Sequence, residues 1–129
     1  MELEKLETRT LSEEGQDVII KGYDDKPVMI IKVKGCDSDE YARQRDIMSR
    51  KIFKAYQNNE TLNENEEDSV FYANLIIGWK SADDERLTWG GKEFVFNTEN
   101  AIKLLRDVPY IRKQVKEFVE NRKNFFLRK

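Results

Sequence analysis

The sequence has no histidine, a single cysteine and two prolines among its 129 residues. Without histidine, the chain lacks the commonest general base and metal ligand of proteins. The lone Cys36 cannot form an internal disulfide or a thiolate metal cluster, and it agrees with folding in a reducing cytosol. These absences disfavour most enzymes and metal proteins, so we expect no catalytic residue, no metal site and no cofactor.

Long apolar runs are absent as well. No stretch approaches the roughly 20 apolar residues that cross a bilayer, and the acidic start with Glu2, Glu4 and Glu7 is unlike a secretory signal. The 23 Lys and Arg residues nearly balance the 25 Asp and Glu residues. A nearly neutral chain has no long-range attraction to nucleic acid or to an anionic membrane. We therefore predict a cytoplasmic protein that does not bind membranes.

The residues that are present suit one folded unit. Hydrophobic residues make up 39% of the chain, enough for a modest core, and charged residues make up 37%, which predicts a densely charged surface. Residues 1–16 are polar and charged, with Leu3, Leu6 and Leu11 as isolated apolar residues, so we predict a flexible arm. Residues 17–129 are then predicted to form a single α+β domain, mainly helical.

Two β-hairpins are predicted. The first joins the β-branched runs 18–20 and 28–33 across a loop that ends at Pro27. The second joins 87–89 and 93–96 across the Gly90 and Gly91 pair, which suits a tight turn and lacks the pattern of a phosphate-binding loop. Because a two-stranded hairpin is only marginally stable alone, its aromatic residues must pack against the domain or another subunit.

Helical spacing predicts four helices, two of them before the second hairpin. The first follows a capping box at Asp37 and Glu40 and runs to about Tyr56. Its predicted buried stripe consists of Tyr41, Met48, Ile52, Ala55 and Tyr56. The second helix follows a similar box at Thr61 and Glu64, continues through Ile77 and stops at Gly78.

The other two helices follow the second hairpin. One is capped by Asn97 or Thr98 and runs through Asp107. The last begins near Pro109, because proline is favoured in the first turn of a helix, and it is predicted to run to the end of the chain. Its apolar face is formed by Ile111, Val115, Phe118, Val119, Phe125 and Phe126.

Two kinds of charged segment suggest other functions. The acidic runs 64–68 and 83–85 resemble a cation or acid/base site, but a helix N-terminus and an exposed loop account for them more simply. Residues 112–129 carry seven basic and two acidic side chains, and basic residues near Phe125 and Phe126 suggest a nucleic-acid-binding regulator. The helix dipole explains the same cations without a ligand, so nucleic-acid binding remains the alternative rather than the leading interpretation.

The order and spacing of particular residues resemble the tail assembly chaperones of long-tailed, lambda-like and related bacteriophages. The resemblance covers roughly residues 17–126. The N-terminal matches are Gly35, Asp37, Ser38 and Tyr41 after a hairpin. The C-terminal matches are Gly78, Trp79, Gly91, Lys92, Phe94, Phe96, Asn100, Ala101, Leu104, Leu105, Pro109, Tyr110, Ile111, Gln114, Val115, Phe118, Asn124 and Phe125. Tyr110 departs from the family, since many relatives carry a tryptophan after the proline.

The resemblance implies a non-enzymatic role in tail morphogenesis. Such a protein binds the long tape-measure protein, keeps it soluble and extended, recruits the major tail-tube protein, and is absent from the mature virion. The family is usually made in two forms, and this chain would be the short, non-frameshifted form. It would act in the host bacterial cytoplasm. A permanent virion connector component is a further alternative.

A partner of the tape-measure protein must offer apolar surface repeatedly, which self-association into an open oligomer would supply. We therefore predict surfaces for partners or further copies on the arm, the second hairpin and the last helix. The predicted residues are Leu11, Trp79, Trp89, Phe94, Phe96, Tyr110, Phe125 and Phe126. Each also suits a core position, and for the last helix the core is favoured.

Overall fold

The computed structural model describes residues 1–127 and arranges them as an α+β fold. The strands are β1 (Gln16–Lys21), β2 (Pro27–Val33), β3 (Ile76–Ser81), β4 (Thr88–Trp89) and β5 (Lys92–Glu93). The α-helices are α1 (Arg9–Glu14), α2 (Asp39–Gln57), α3 (Glu64–Ala73), α4 (Thr98–Asp107) and α5 (Pro109–Glu120). Leu3–Leu6 and Arg122–Phe125 form short 3₁₀ helices.

A three-stranded antiparallel sheet, in the order β1-β2-β3, underlies the domain. In its first pair Val18 lies opposite Ile31 and Ile20 opposite Met29. Side chains alternate across a strand, so these four share one face, and each is at most 4% exposed. The predicted N-terminal hairpin is confirmed, and its buried face forms one wall of the core.

Helices α3, α4 and α5 supply the other wall. Leu105 of α4 and Val115 and Val119 of α5 are fully buried against the sheet residues. The starts of these helices follow the predicted local chemistry. Asn97 caps α4 by accepting a hydrogen bond from the backbone N–H of Asn100 at 2.7 Å, and Pro109 occupies the first turn of α5.

The third strand of the sheet corrects the prediction for the second helix. That helix was expected to continue through Ile77 to Gly78, but α3 ends at Ala73 and β3 pairs with β2. The Lys34 N–H donates to the Leu75 carbonyl at 2.9 Å, immediately before β3 begins. A short apolar run fits a buried helix and a buried strand equally well, and only pairing with a distant strand distinguishes them.

The residues that cap α2 and α3 also differ from those predicted. Ser38, not Asp37, caps α2 by accepting a hydrogen bond from Tyr41 N–H, and the Asp37 carboxylate bonds to other segments. Asn63, not Thr61, caps α3 by accepting from Glu66 N–H at 3.0 Å. Ser and Asp are about equally good caps and Asn is somewhat better than Thr, so local backbone geometry can decide between such close candidates.

The predicted buried stripe of α2 is only partly correct. Ala55 is buried and Tyr41 and Met48 pack against the core, but Ile52 is 55% exposed and Tyr56 is 83% exposed. Periodicity shows which residues share a helix face, yet it does not show whether another element covers that face. The last two turns of α2 therefore present apolar side chains to solvent.

The last helix ends earlier than predicted. The helix α5 stops at Glu120, and a 3₁₀ turn over Arg122–Phe125 redirects the chain. This turn carries the Phe125 ring to a fully buried position beneath Gly35, where a Cβ atom would lie 2.9 Å from the ring. The remainder of the predicted helix, residues 128 and 129, lies outside the described residues.

Part of the predicted arm has regular structure. Within residues 1–16, α1 places Ser12 in a fully buried position, and the Gly35 N–H donates to the Ser12 carbonyl at 3.0 Å. Glu7 lies next to the other end of the described chain, because its carbonyl accepts from Leu127 N–H at 2.9 Å. The arm therefore contacts the domain at several places, these two among them, and its flexibility stays a prediction.

Within residues 1–127, no helix combines the length and the apolar character needed to cross a bilayer.

Candidate protein-binding surface

Four of the predicted partner-binding residues lie together around the second hairpin. The Trp79 ring on β3 stacks on Phe94 with a centroid separation of 5.5 Å and an interplanar angle of 8°. Phe96 meets Trp79 edge-on at 5.1 Å, and Trp89 meets Phe94 at 5.3 Å. We call Trp79, Trp89, Phe94 and Phe96 the aromatic cluster.

The hairpin itself is confirmed, and local chemistry explains its turn. Gly90 and Gly91 have φ angles of 61° and 81°, values that favour glycine over residues with a Cβ. The Phe94 N–H donates to the Leu87 carbonyl at 2.8 Å, just outside the two short strands. The Trp79 indole N–H donates to the Phe94 carbonyl at 3.3 Å, which ties the hairpin to the edge of the three-stranded sheet.

Helix α4 holds the other side of the hairpin. The Lys103 ammonium lies 4.8 Å from the centroid of the Trp89 ring, within the range of a cation–π contact. The Asn100 amide donates to the Val95 carbonyl at 2.8 Å. The rings are therefore held in place by both the sheet and a core helix, as suits a preformed binding surface.

The aromatic cluster has a buried layer and an exposed layer. Phe94 is 9% exposed and belongs to the core, whereas Trp89 and Phe96 are each 36% exposed and Val95 is 51% exposed. Aromatic side chains of this kind supply much of the binding energy in protein interfaces, where Trp and Tyr are enriched. The exposed layer is thus the part of the cluster that can contact a partner.

A shallow depression of about 320 Å³ adjoins the cluster. Its apolar lining comes from Trp79, Leu87, Phe94, Val95 and Phe96, and its rim carries charges of both signs. Arg86 and Glu93 form an ion pair across the rim at 3.7 Å. An aromatic floor with a mixed charged rim resembles the composition of transient protein interfaces.

The other four predicted residues lie on separate elements. Leu11 packs against the core from α1, and the Phe125 ring is fully buried. Phe126 is partly buried beside it. Tyr110 on α5 is 50% exposed, and its hydroxyl donates to the Gly22 carbonyl at 3.3 Å. Of these, Tyr110 offers the largest exposed area, whereas Phe125 has none to offer.

One exposed apolar region lies outside the surfaces predicted from the sequence. Ile52, Phe53 and Tyr56 on α2 are 55%, 62% and 83% exposed. The prediction that Ile52 and Tyr56 belong to a buried stripe is therefore wrong. Phe53 lies off that stripe by helical spacing, and it is the residue that indicates a second apolar side of the helix.

The acidic runs have local structural roles. Glu64, Glu66 and Glu67 lie in the first turn of α3, where the helix dipole favours negative charge. Asp83 accepts a hydrogen bond from the backbone N–H of Glu85 and another from the Ser81 hydroxyl, and these bonds hold its pKa below the ordinary value. In residues 1–127 no group of three or more acidic or thiol side chains is placed to hold a metal ion.

Several basic residues between positions 112 and 127 are paired within the chain. Lys116 contacts Asp68 at 3.0 Å and Arg122 contacts Asp37 at 2.8 Å. The Arg112 guanidinium donates to the Leu105 carbonyl at 3.1 Å and to the Asn65 amide oxygen at 3.2 Å. These pairings direct cations toward the protein and leave fewer of them to contact a phosphate backbone.

No protein-family model matches the chain, and comparisons with curated proteins and with solved structures found no match.

Proposed function

We propose that the protein is a tail assembly chaperone of a long-tailed bacteriophage, which binds other polypeptides and catalyses no reaction. The observation that carries the proposal is the aromatic cluster. Gly78, Trp79, Phe94 and Phe96, which carry part of the sequence resemblance, lie in or beside it, and Phe96 and Trp89 remain exposed. Residues that resemble the family therefore meet at a surface suited to protein binding.

The partners follow from this proposal. The cluster and its neighbouring depression bind apolar segments of the tape-measure protein, keeping that long protein soluble before the tail tube encloses it. The bound chaperone recruits the major tail-tube protein and departs before the tail is complete. Further copies add head to tail in an open oligomer, so that apolar surface is offered repeatedly along the tape-measure protein. The site of action is the host bacterial cytoplasm.

Co-expression with the tape-measure protein tests the proposal. We expect the wild-type chain to increase the soluble fraction of the tape-measure protein and to co-purify with it. The double variant Trp89→Ser and Phe96→Ser should lose both effects, because it removes the exposed rings and leaves Phe94 in the core. Tyr23→Ser is the matched control, since Tyr23 is 98% exposed in the turn of the first hairpin.

Two outcomes would refute the proposal. The first is a wild-type chain that neither binds nor solubilises the tape-measure protein, and the second is the presence of the chain in purified mature particles. The latter, measured by mass spectrometry of virions, would identify the alternative of a permanent connector component. Salt-sensitive binding to DNA or RNA would instead identify the nucleic-acid-binding regulator.

A further inference from the structure

The exposed end of α2 forms a second surface, which shares no lining residue with the depression beside the aromatic cluster. Two shallow depressions, of about 330 Å³ and 340 Å³, lie between α2 and the segment that begins α3. Both are lined by Ile52 and Leu62, so they form the two halves of one groove. Met48 also lines one half, and Ala55 and Tyr56 line the other. We call this the α2 groove.

The α2 groove is apolar at its floor and acidic along one wall. The wall consists of Glu60, Glu64, Glu67 and Asp68. Glu67 is paired with Lys51 at 3.1 Å and Asp68 with Lys116 at 3.0 Å. Within residues 1–127, Glu60 and Glu64 form no salt bridge. The wall therefore retains unpaired negative charge beside an exposed apolar floor.

The shape of the groove fits a helix better than a strand. The backbone groups of α2 and α3 bond within their own helices, so these helices offer no open strand edge to which an extended peptide could add. From Met48 to Tyr56 the floor extends for about 12 Å at 1.5 Å per residue, which matches about two turns of a docked helix. Apolar side chains spaced along one stripe of such a helix would contact Ile52, Leu62 and Tyr56.

We infer that the α2 groove binds an amphipathic helix of a partner protein whose apolar stripe is flanked by lysine or arginine. The stripe covers the exposed side chains of Ile52 and Tyr56, and the flanking cations lie against Glu60 and Glu64. The acidic wall selects against helices flanked by carboxylates, because like charges would face each other at close range.

A designed peptide tests this inference with the full chain. The probe is an 18-residue fluorescein-labelled helix with a leucine stripe flanked by lysines, and its control carries glutamates in place of the lysines. Fluorescence anisotropy measures both affinities. We expect the lysine peptide to bind at least about tenfold more tightly than the glutamate peptide, and we expect this preference to shrink at high salt as charges are screened.

Variants locate the binding to the groove. Ile52→Ser should weaken binding of the lysine peptide about tenfold, since it removes the central apolar contact. Ile19→Ser is the matched control, because Ile19 is 54% exposed on β1 and should leave the affinity unchanged. Glu64→Lys should weaken binding several-fold, with Asp84→Lys in an exposed loop as its control. Both Ile52 and Glu64 are exposed, so these variants should keep the far-ultraviolet circular dichroism of the wild type.

Three results would overturn the inference. One is no binding of the lysine peptide at about 1 mM, which corresponds to a binding energy too small for a docking site. Another is equal loss of affinity in the groove variants and in their controls. The third is self-association of the chain that disappears in Ile52→Ser while the lysine peptide fails to bind, which would make a second copy the occupant of the groove.

Discussion

Arg122 donates two hydrogen bonds to Asp37, from Nε to one carboxylate oxygen at 2.8 Å and from Nη2 to the other at 2.9 Å. The Thr8 hydroxyl donates to the same carboxylate at 2.6 Å. Asp37 therefore joins the N-terminal arm, the start of α2 and the C-terminal 3₁₀ turn at one point. The paired guanidinium, followed by the Thr8 bond, lowers the pKa of Asp37 to about 2, in spite of the opposing effect of burial.

The stability that the Asp37 carboxylate contributes at this junction depends on pH. Its folded-state pKa lies below the ordinary value, so it stabilises the fold fully above about pH 4, and the effect is lost as the pH falls through about 2. Urea unfolding should show Asp37→Asn less stable than wild type at neutral pH, with the difference shrinking between about pH 4 and 2. Asp84→Asn is the control. A difference in stability between Asp37→Asn and the wild type that does not change with pH would contradict this prediction.

Gly35 should tolerate no side chain. A Cβ atom there would contact the Ser12 hydroxyl and lie 2.9 Å from the buried Phe125 ring. We expect Gly35→Ala to lower the free energy of unfolding by about 1–3 kcal/mol, the cost of overpacking a core. Gly78→Ala is the matched control, because within residues 1–127 no atom outside its chain neighbours would lie within 4 Å of the new Cβ. Equal stabilities of the two variants in chemical denaturation would refute this packing.

Substitutions of Phe125 and Phe96 should have different effects on stability and on partner binding. Phe125 is fully buried, so Phe125→Ala should cost about 3–5 kcal/mol of unfolding free energy by leaving a cavity. Phe96 is 36% exposed, so Phe96→Ala should cost less stability but weaken binding to the tape-measure protein. Denaturant titrations with a binding assay on each variant make the comparison. A folded Phe125→Ala chain of unchanged stability would contradict the core assignment.

Two tyrosines should ionise at unusually high pH. Burial raises the pKa of Tyr72 and of Tyr41 above the ordinary value, and both hydroxyls also donate to the Glu120 carboxylate, at 2.6 Å and 2.7 Å. In an alkaline titration followed by absorbance, the double variant Tyr41→Phe and Tyr72→Phe should lose the fraction that ionises at the highest pH. Glu120→Gln should shift that fraction to lower pH, and an unchanged titration would argue against the shared carboxylate.

The sequence predicts the fold best where local chemistry decides it. The first hairpin, the Asn97 cap, the Pro109 start and the Gly90–Gly91 turn all depend on neighbouring residues. The strand β3 could not be predicted in this way, because its pairing with β2 joins residues about fifty positions apart in the chain. Tertiary pairing, not propensity, decides the structure of such short apolar runs.

The candidate site was only partly predictable for a similar reason. Aromatic residues near the second hairpin must pack against another element, and Trp79 from β3 supplies that contact at a position that the sequence places just after a helix. The exposure of Ile52 and Tyr56 was missed because periodicity groups residues by face without showing which faces are covered. Conversely, Phe125 entered the core through a turn that helical spacing did not predict.

Tryptophan fluorescence tests the central claim most directly, because the only two tryptophans of the chain, Trp79 and Trp89, both belong to the aromatic cluster. Titration with a segment of the tape-measure protein that lacks tryptophan should shift the emission to shorter wavelength and reduce quenching by acrylamide, as the exposed Trp89 ring is covered. Trp89→Phe should remove most of that change. Binding of the segment with no change in tryptophan emission or quenching would contradict the claim that the aromatic cluster is the binding surface.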